Sequence, residues 1–351
     1  MSIPTTNLYD FVHQVLENQF LIKYFHPWGH KNFSNLIDNI KGPNDIKVSD
    51  SIDIYSKICD QFPVVVCHDQ EPLDFNMYSD TQLNAETEYQ NSIGKLLYQY
   101  KDLNLRWQQP TSKVEKWILL HSELNSSQVQ HYENTGLFKC AYWWSHAAIA
   151  RDWYRFARYD QYLTRLDNKI ANWLVYARDT TGKREYRKRF LDLLRLVSNV
   201  QLGSIDTDAV VNSDSSAEYN TEDFTKTNCS IVLETVFDNR IHLTEKTLRP
   251  IACGHPFMIL SGPGTLEYLR TYGFKTFHPF IDESYNLETD SDKRMTMVLS
   301  EMDRINKLSQ ADQEHIWKAC AVVARHNKEL FFSDRFFNSI TQELRSNVLG
   351  I

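Results

Sequence analysis

Three short apolar runs in the first half of the chain each stop abruptly in a polar cluster. Residues 62–67 (FPVVVC) run into His68-Asp69-Gln70-Glu71-Pro72, residues 116–120 (KWILL) into His121-Ser122-Glu123, and residues 138–144 (FKCAYWW) into Ser145-His146. Apolar runs of this length, bounded by such breaks, read as buried β-strands. In a parallel α/β sheet, ligands gather beyond the carboxyl ends of the strands. Polar groups placed there three times over say more than any single motif.

The second half carries the same grammar. Residues 171–177 (ANWLVYA), 229–233 (CSIVL) and 256–260 (PFMIL) read as strands. A basic helix is expected over 183–197, further helix over 293–331, and an amphipathic helix over 335–348. Near the amino terminus, residues 8–25 have apolar positions at helical spacing, and 26–30 (HPWGH) form a turn. Residues 76–112 are polar and read as a helical excursion. With 351 residues the chain exceeds the roughly 250–300 at which one core stops growing, so two domains are expected. Their bounds are placed at 1–165 and 166–335, with 336–351 as a final helix.

Composition narrows the class. Hydrophobic residues make up 42% and charged residues 24%, both ordinary for a globular protein. A net charge of −7 excludes a molecule that binds polyanions with its whole surface, though not one with a local basic patch. Six scattered cysteines without a CxxC fit a reducing cytoplasm better than a disulfide framework or a zinc site. The amino terminus has no signal-peptide pattern, and no run approaches the roughly 20 apolar residues of a membrane span. A cytoplasmic location is expected.

Four constellations carry chemistry. The first is 234–274, where Glu234 follows the strand CSIVL, Thr244-Glu245-Lys246 opens a helix expected to break at Pro250, and a Gly-Pro-Gly turn follows the next strand. A nucleotide diphosphate needs cations and backbone N–H donors at its phosphates and a carboxylate for its hydroxyls. Thr244 is a plausible N-cap, and Lys246 adds a full charge. The bland alternative is an ordinary capped helix with a solvated lysine. The second is 178–195, with seven Lys/Arg against three Asp/Glu. Here Arg178, Lys183 or Arg184 could meet a diphosphate, or the helix could simply be solvated. The third is 67–72, where Glu71 or its competitor Asp69 could act as a general base. The fourth groups His121, Glu123, Trp144, His146 and Arg151. Tryptophan and histidine at a strand end can stack on a sugar or a base, although a tryptophan there is as often core. His68 joins them as an acceptor-binding candidate.

Other signals are weak. Asp206-Thr207-Asp208 and Asp290-Ser291-Asp292 fall in polar loops and read as surface. Nothing in the His and Cys spacing suggests a metal. No GxGxxG, Walker or nucleophile-elbow sequence occurs.

The stretch Leu233-Glu234-Thr235-Val236, then His242-Leu243-Thr244-Glu245-Lys246, then 254–264, resembles the donor-binding region of the alpha-1,3-fucosyltransferases. That family has Phe-Glu-Asn-Ser and Tyr-Ile-Thr-Glu-Lys at the matching places. The resemblance implies that Glu234, Glu245 and Lys246 contact a nucleotide sugar, with Arg184 and Tyr186 of the basic helix beside them; Thr244, as N-cap, joins the donor-binding candidates. It also implies that Glu71, in an order similar to the family's Glu-Ser-Pro, is the base. Most of the chain is also similar to glycosyltransferase-like proteins of bacteriophages and cyanobacteria, through CHDQEPLDF, ILLHSELNS, YWWSHAAIARDWYR and LTEKTLRPIACGHPF.

The expected fold is therefore α/β of the GT-B type, two Rossmann-like domains facing a cleft, with the final helix packing back on the first domain. The expected function is inverting, metal-independent sugar transfer from a UDP- or GDP-linked donor, without a further cofactor. The acceptor is a hydroxymethylated base in phage DNA or, alternatively, a surface or virion glycan. A non-catalytic nucleotide- or glycan-binding module is the rival of another class.

Overall fold

The computed structural model describes residues 8–17, 19–25, 64–68, 72–73, 117–134, 138–164, 169–203 and 214–350. They form two compact units, one from Thr6–Ser145 with Ile340–Ile351 and the other from His146–Ser339. The boundary expected at 165 falls about one helix later than this division.

The first unit holds four parallel strands, β1 (Leu21–Phe25), β2 (Val64–His68), β3 (Trp117–His121) and β4 (Phe138–Tyr142), in sequential order. Helix α1 (Leu8–Val15) precedes β1, and α2 (Ser127–Asn134) connects β3 to β4. The expected strands of this half are present as β2, β3 and β4. The expected helix over 8–25 is not continuous. It ends at Val15, Glu17 takes a left-handed φ of 58°, and Leu21–Phe25 becomes an additional strand. A non-glycine residue in that conformation breaks the helical path, and LIKYF then pairs with β2.

The last helix supplies the other wall of this unit. Helix α10 (Asp334–Leu349) enters it at Ile340. The Trp143 indole donates to the Ile340 carbonyl at 2.9 Å, the Trp144 backbone N–H to Glu343 at 2.9 Å, and Asn347 to the Tyr142 carbonyl at 2.7 Å. Arg345 pairs with Glu17.

The second unit holds β5 (Ala171–Val175), β6 (Val200–Leu202), β7 (Thr227–Leu233) and β8 (Phe257–Leu260), all parallel, in the order β6-β5-β7-β8. From β5 the chain winds outward to β6, then returns to the other side for β7 and β8. That reversal puts a topological switch point at the carboxyl ends of β5 and β7, the place where open α/β sheets bind ligands. Trp173, Leu174, Ile231 and Met258 are buried on these strands.

Six helices of eight or more residues belong wholly or partly to this unit among the described residues. They include α3 (Ser145–Trp153) and α4 (Glu185–Leu194). The short α5 (Thr221–Lys226) leads directly into β7. Helix α6 (Glu245–Cys253) keeps its course through Pro250 and ends only at Gly254, whose φ is 68°. The sequence suggested a break at the proline. An interior proline costs about 3 kcal/mol, but eight of the nine residues of α6 are buried, and that packing outweighs the local cost. Then follow α7 (Thr265–Thr271), α8 (Ser291–Asn306) and α9 (Gln310–Phe331). The region 293–331, expected to be helical, holds two helices, divided where Ser309 caps α9.

The amino-terminal edge of this sheet is closed by a side-chain network. The Asn172 amide donates to Asn306 and Gln313, both at 2.8 Å, and accepts from Asn228 and Trp317, both at 3.0 Å. A buried amide with all of these bonds made adds rigidity rather than reactivity. The carboxyl edge is left to carry function.

His255 lies at the opposite end of α6 from Lys246. Its Nε2 donates to the Thr227 carbonyl at 3.0 Å, and its Nδ1 accepts from Ser230 at 2.9 Å. Burial pushes its pKa down to about 3 from an ordinary 6.5. The unfolded chain therefore takes up a proton at pH values where the folded chain does not. Stability is complete above pH 6.5 and falls as the pH drops toward 3, by about 1 kcal/mol per unit. Urea unfolding between pH 7 and 4 should show this decline, and His255→Gln should flatten it. An equal slope in both proteins would refute the assignment.

Candidate functional site

The site is built where β5, β7 and β8 end. After β5, Asp179 closes a turn by accepting from the Thr181 N–H at 3.0 Å and hydroxyl at 2.9 Å, and it pairs with Arg184 at 2.9 Å. Helix α4 then returns Tyr186 and Arg187 to the switch point. Arg187, buried, donates to the Asp179 carbonyl at 3.0 Å and to the carbonyls of Leu233 and Glu234 at 3.0 and 2.9 Å. The Tyr186 hydroxyl donates to the same Glu234 carbonyl, and its ring stacks on Phe237 at 4.6 Å. Arg187 therefore pins the end of β5 to the end of β7. It was counted in the sequence only as one charge among seven.

Glu234 is the first residue after β7, and its residue exposure is zero. One carboxylate oxygen accepts from the Thr244 N–H at 3.1 Å, the Thr247 N–H at 3.3 Å and the Thr247 hydroxyl at 2.6 Å. The other accepts from the Thr244 hydroxyl at 2.7 Å and the Thr235 N–H at 3.3 Å. Five donors saturate it. A negative charge at a helix N-terminus is favourable, and here the protein supplies its own. The expected placement of a diphosphate directly on this terminus meets that occupancy. Thr244, as N-cap, uses its hydroxyl to accept from the Lys246 N–H at 3.3 Å. Glu234 and Thr244 therefore position the loop instead of presenting polar atoms outward.

Lys246 remains partly open, its side chain 29% exposed. Its ammonium donates to Glu245 at 2.7 Å and to the hydroxyls of Thr235 and Thr244 at 3.3 Å. Burial alone would raise the Glu245 carboxyl, but the charges of Lys246, His146 and Arg249 outweigh it and hold the group far below the usual carboxylate range. His146, from α3, meets His242 edge to face at 5.1 Å. An acceptor-side candidate from the sequence thus stands beside the donor-side pair Glu245 and Lys246.

Two loops complete the edge. Arg294, buried, donates to the carbonyls of Phe237 at 3.0 Å and Asp238 at 3.1 Å, and its guanidinium lies 4.6 Å from the Phe237 ring centre. The Gly-Pro-Gly turn passes under this loop, with Gly262 against the Arg240 backbone. Gly264, at a φ of 83°, starts α7.

The remaining candidates are dispersed. Arg178 is exposed just beyond β5. Trp144 is fully buried and forms core, so no ring face is available for a sugar. Arg151 caps the end of α9, donating to the carbonyls of Ser333 at 2.7 Å and Phe332 at 3.0 Å. His121 is buried, accepts from the Glu123 N–H at 3.3 Å, and is pushed by burial down to about 4, so it is neutral near pH 7. Glu123 accepts from the Leu73 N–H at 2.5 Å and so holds the chain that follows β2. His68 is the last residue of β2. Asp69 and Glu71 lie outside the described residues, as do the side chains of His68 and Lys183 and the segments 26–30, 76–112 and 206–208. Asp290 caps α8, and Asp292 pairs with Arg189 at the surface.

Among the described residues no group of three His, Cys, Asp or Glu is placed to hold a metal ion. None of their helices is long and apolar enough to cross a membrane. No family model, characterised protein or solved structure matches the chain.

Proposed function

We propose that the chain is an inverting glycosyltransferase of the GT-B type, taking a sugar from a UDP- or GDP-linked donor. The β5–β8 unit would bind the donor and the β1–β4 unit would bind the acceptor. The observation that carries this reading is the switch point of the second sheet with Lys246 half-open at its edge. A sugar diphosphate bound there would meet Lys246, with Arg184 and Arg178 on the neighbouring loop.

In the proposed reaction an acceptor hydroxyl oxygen attacks the anomeric carbon as the bond from that carbon to the diphosphate oxygen breaks. Glu71, or Asp69, takes the hydroxyl proton. The departing diphosphate keeps the bonding electrons, and its growing charge is met by fixed cations. The acceptor is a hydroxyl of a modified nucleic-acid base or of a glycan.

Calorimetry with UDP- and GDP-sugars tests the donor half. The wild-type chain should bind at least one donor, and Lys246→Ala should weaken that binding about 10- to 100-fold. Lack of binding by the wild type to every donor would sink the reading. Glu71→Ala should abolish transfer while donor affinity stays within about twofold. Donor binding without transfer or slow donor hydrolysis in the wild type would instead favour a non-catalytic binding module.

A further inference from the structure

Beyond the switch point, the second unit carries an exposed aromatic face that the donor site does not use. After α3 the chain makes two short 3₁₀ turns, Arg155–Arg158 and Gln161–Thr164. A 3₁₀ helix has three residues per turn, so side chains three apart eclipse. Phe156 and Tyr159 have that spacing, and Tyr162 stands three further on in the next turn. They are 65%, 73% and 59% exposed, three of the eight exposed large hydrophobic side chains among the described residues and close together in the chain.

Two arginines stand against the first two rings. The Arg155 guanidinium lies 4.6 Å from the Phe156 ring centre, and Arg158 lies 5.5 Å from that of Tyr159. Arg155 is partly balanced by Asp152 at 3.3 Å, whereas Arg158 has no ion-pair partner among the described residues. The nearby Asp160 is turned inward, accepting from the Thr221 hydroxyl at 2.8 Å and the Tyr162 N–H at 2.9 Å. Two of the rings thus stand beside positive charge, and the Asp152 and Asp160 carboxylates are engaged by the protein.

We propose that this face binds single-stranded nucleic acid. Bases stack on Phe156, Tyr159 and Tyr162, and Arg155 and Arg158 meet the phosphates between them. Stacking on aromatic side chains with arginine alongside is how unpaired strands are held without regard to sequence. Charge decides against the other occupants. An apolar partner would bury Arg158 without a counter-charge. A second copy of the chain would set arginine against arginine. A neutral glycan would leave both cations unanswered.

The test is fluorescence anisotropy with labelled oligothymidylate and oligouridylate of about twelve nucleotides. The wild-type chain should bind at low salt, and log affinity should fall with log salt by about 0.7 per phosphate contacted. Tyr159→Ala should cost about 10-fold, and F156A/Y159A/Y162A at least about 100-fold. Arg158→Gln should lower the salt slope by about 0.7. These positions are exposed, and circular dichroism would check that the triple variant is folded; the single variant supports the test on its own if it is not. Lack of binding at low salt, or equal binding by wild type and Tyr159→Ala, overturns the proposal. So does concentration-dependent self-association lost in Tyr159→Ala, which would make the face an interface between copies. Binding of neutral oligosaccharide that is lost in the same variant would overturn it in favour of a glycan. Donor binding in these variants should stay at the wild-type level, so the outcome is independent of the glycosyltransferase reading.

Discussion

Glu234→Ala is expected to destabilise the second unit by about 4 kcal/mol or more, a loss of roughly 10 °C in the melting temperature. The carboxylate accepts five hydrogen bonds in a position with no solvent exposure. Removing it leaves the N–H groups of Thr235, Thr244 and Thr247 with no replacement acceptor, and water has no access to them. Glu234→Gln should cost much less. Its amide can take the place of the oxygen facing the Thr244 hydroxyl, but that hydroxyl already accepts from the Lys246 N–H and ammonium, so the Thr235 N–H and one of these donors lose a partner while the three bonds to the other oxygen stay. Thermal unfolding of both variants is the measurement. If alanine and glutamine behave alike, the loop is not held by this carboxylate.

Gly262→Ala is the second change with a large expected effect, of about 3 kcal/mol or more. A Cβ at Gly262 would fall far inside van der Waals distance of the Arg240 carbonyl oxygen and carbon. Both obstacles are backbone atoms, and the loop that carries them is fixed by Arg294 through the carbonyls of Phe237 and Asp238. It cannot move aside without breaking those bonds. Gly264 provides the comparison two residues later. Its φ of 83° makes alanine strained, at about 1–2 kcal/mol, but the nearest atom is a methyl of Ile241 at 3.7 Å. Urea midpoints should therefore rank Gly262→Ala below Gly264→Ala. The reverse order would mean that the turn is constrained by backbone conformation and not by the neighbouring strand exit.

Much of the architecture can be read from the chain because buried parallel strands leave a plain local record. VVVCH, WILLH, NWLV, CSIVL and FMIL are mainly apolar runs between polar breaks, and each lies in a strand. LIKYF is not legible in this way. It continues the helical spacing of LYDFVHQVLENQF, and only the left-handed Glu17 separates the two. Within the site, the grouping of Glu234, Thr244, Glu245 and Lys246 is visible from their order after a strand. Their division of labour is not. Whether a carboxylate faces a ligand or its own helix depends on Thr247 one turn further on, and a threonine in TEKTLR carries no sign of it. Arg187 escapes for a related reason. In a basic helix its charge looks like its neighbours', and only the turn of the helix selects it for the carbonyls of Leu233 and Glu234. Trp144 shows the opposite limit, since a tryptophan at a strand end reads alike whether it stacks on a sugar or on its own core.

The unit that contains β1–β4 is discontinuous in the chain, and dissection has to respect that. A fragment ending near residue 145 would lose Ile340, Glu343, Arg345 and Asn347, and with them the acceptor for the Trp143 indole and the donor to the Tyr142 carbonyl. Buried polar groups would be stranded along an opened apolar seam, a recipe for aggregation. The unit is 6–145 with 340–351, so a deletion series from the carboxyl terminus would strike it first, although its strands lie at the other end of the sequence.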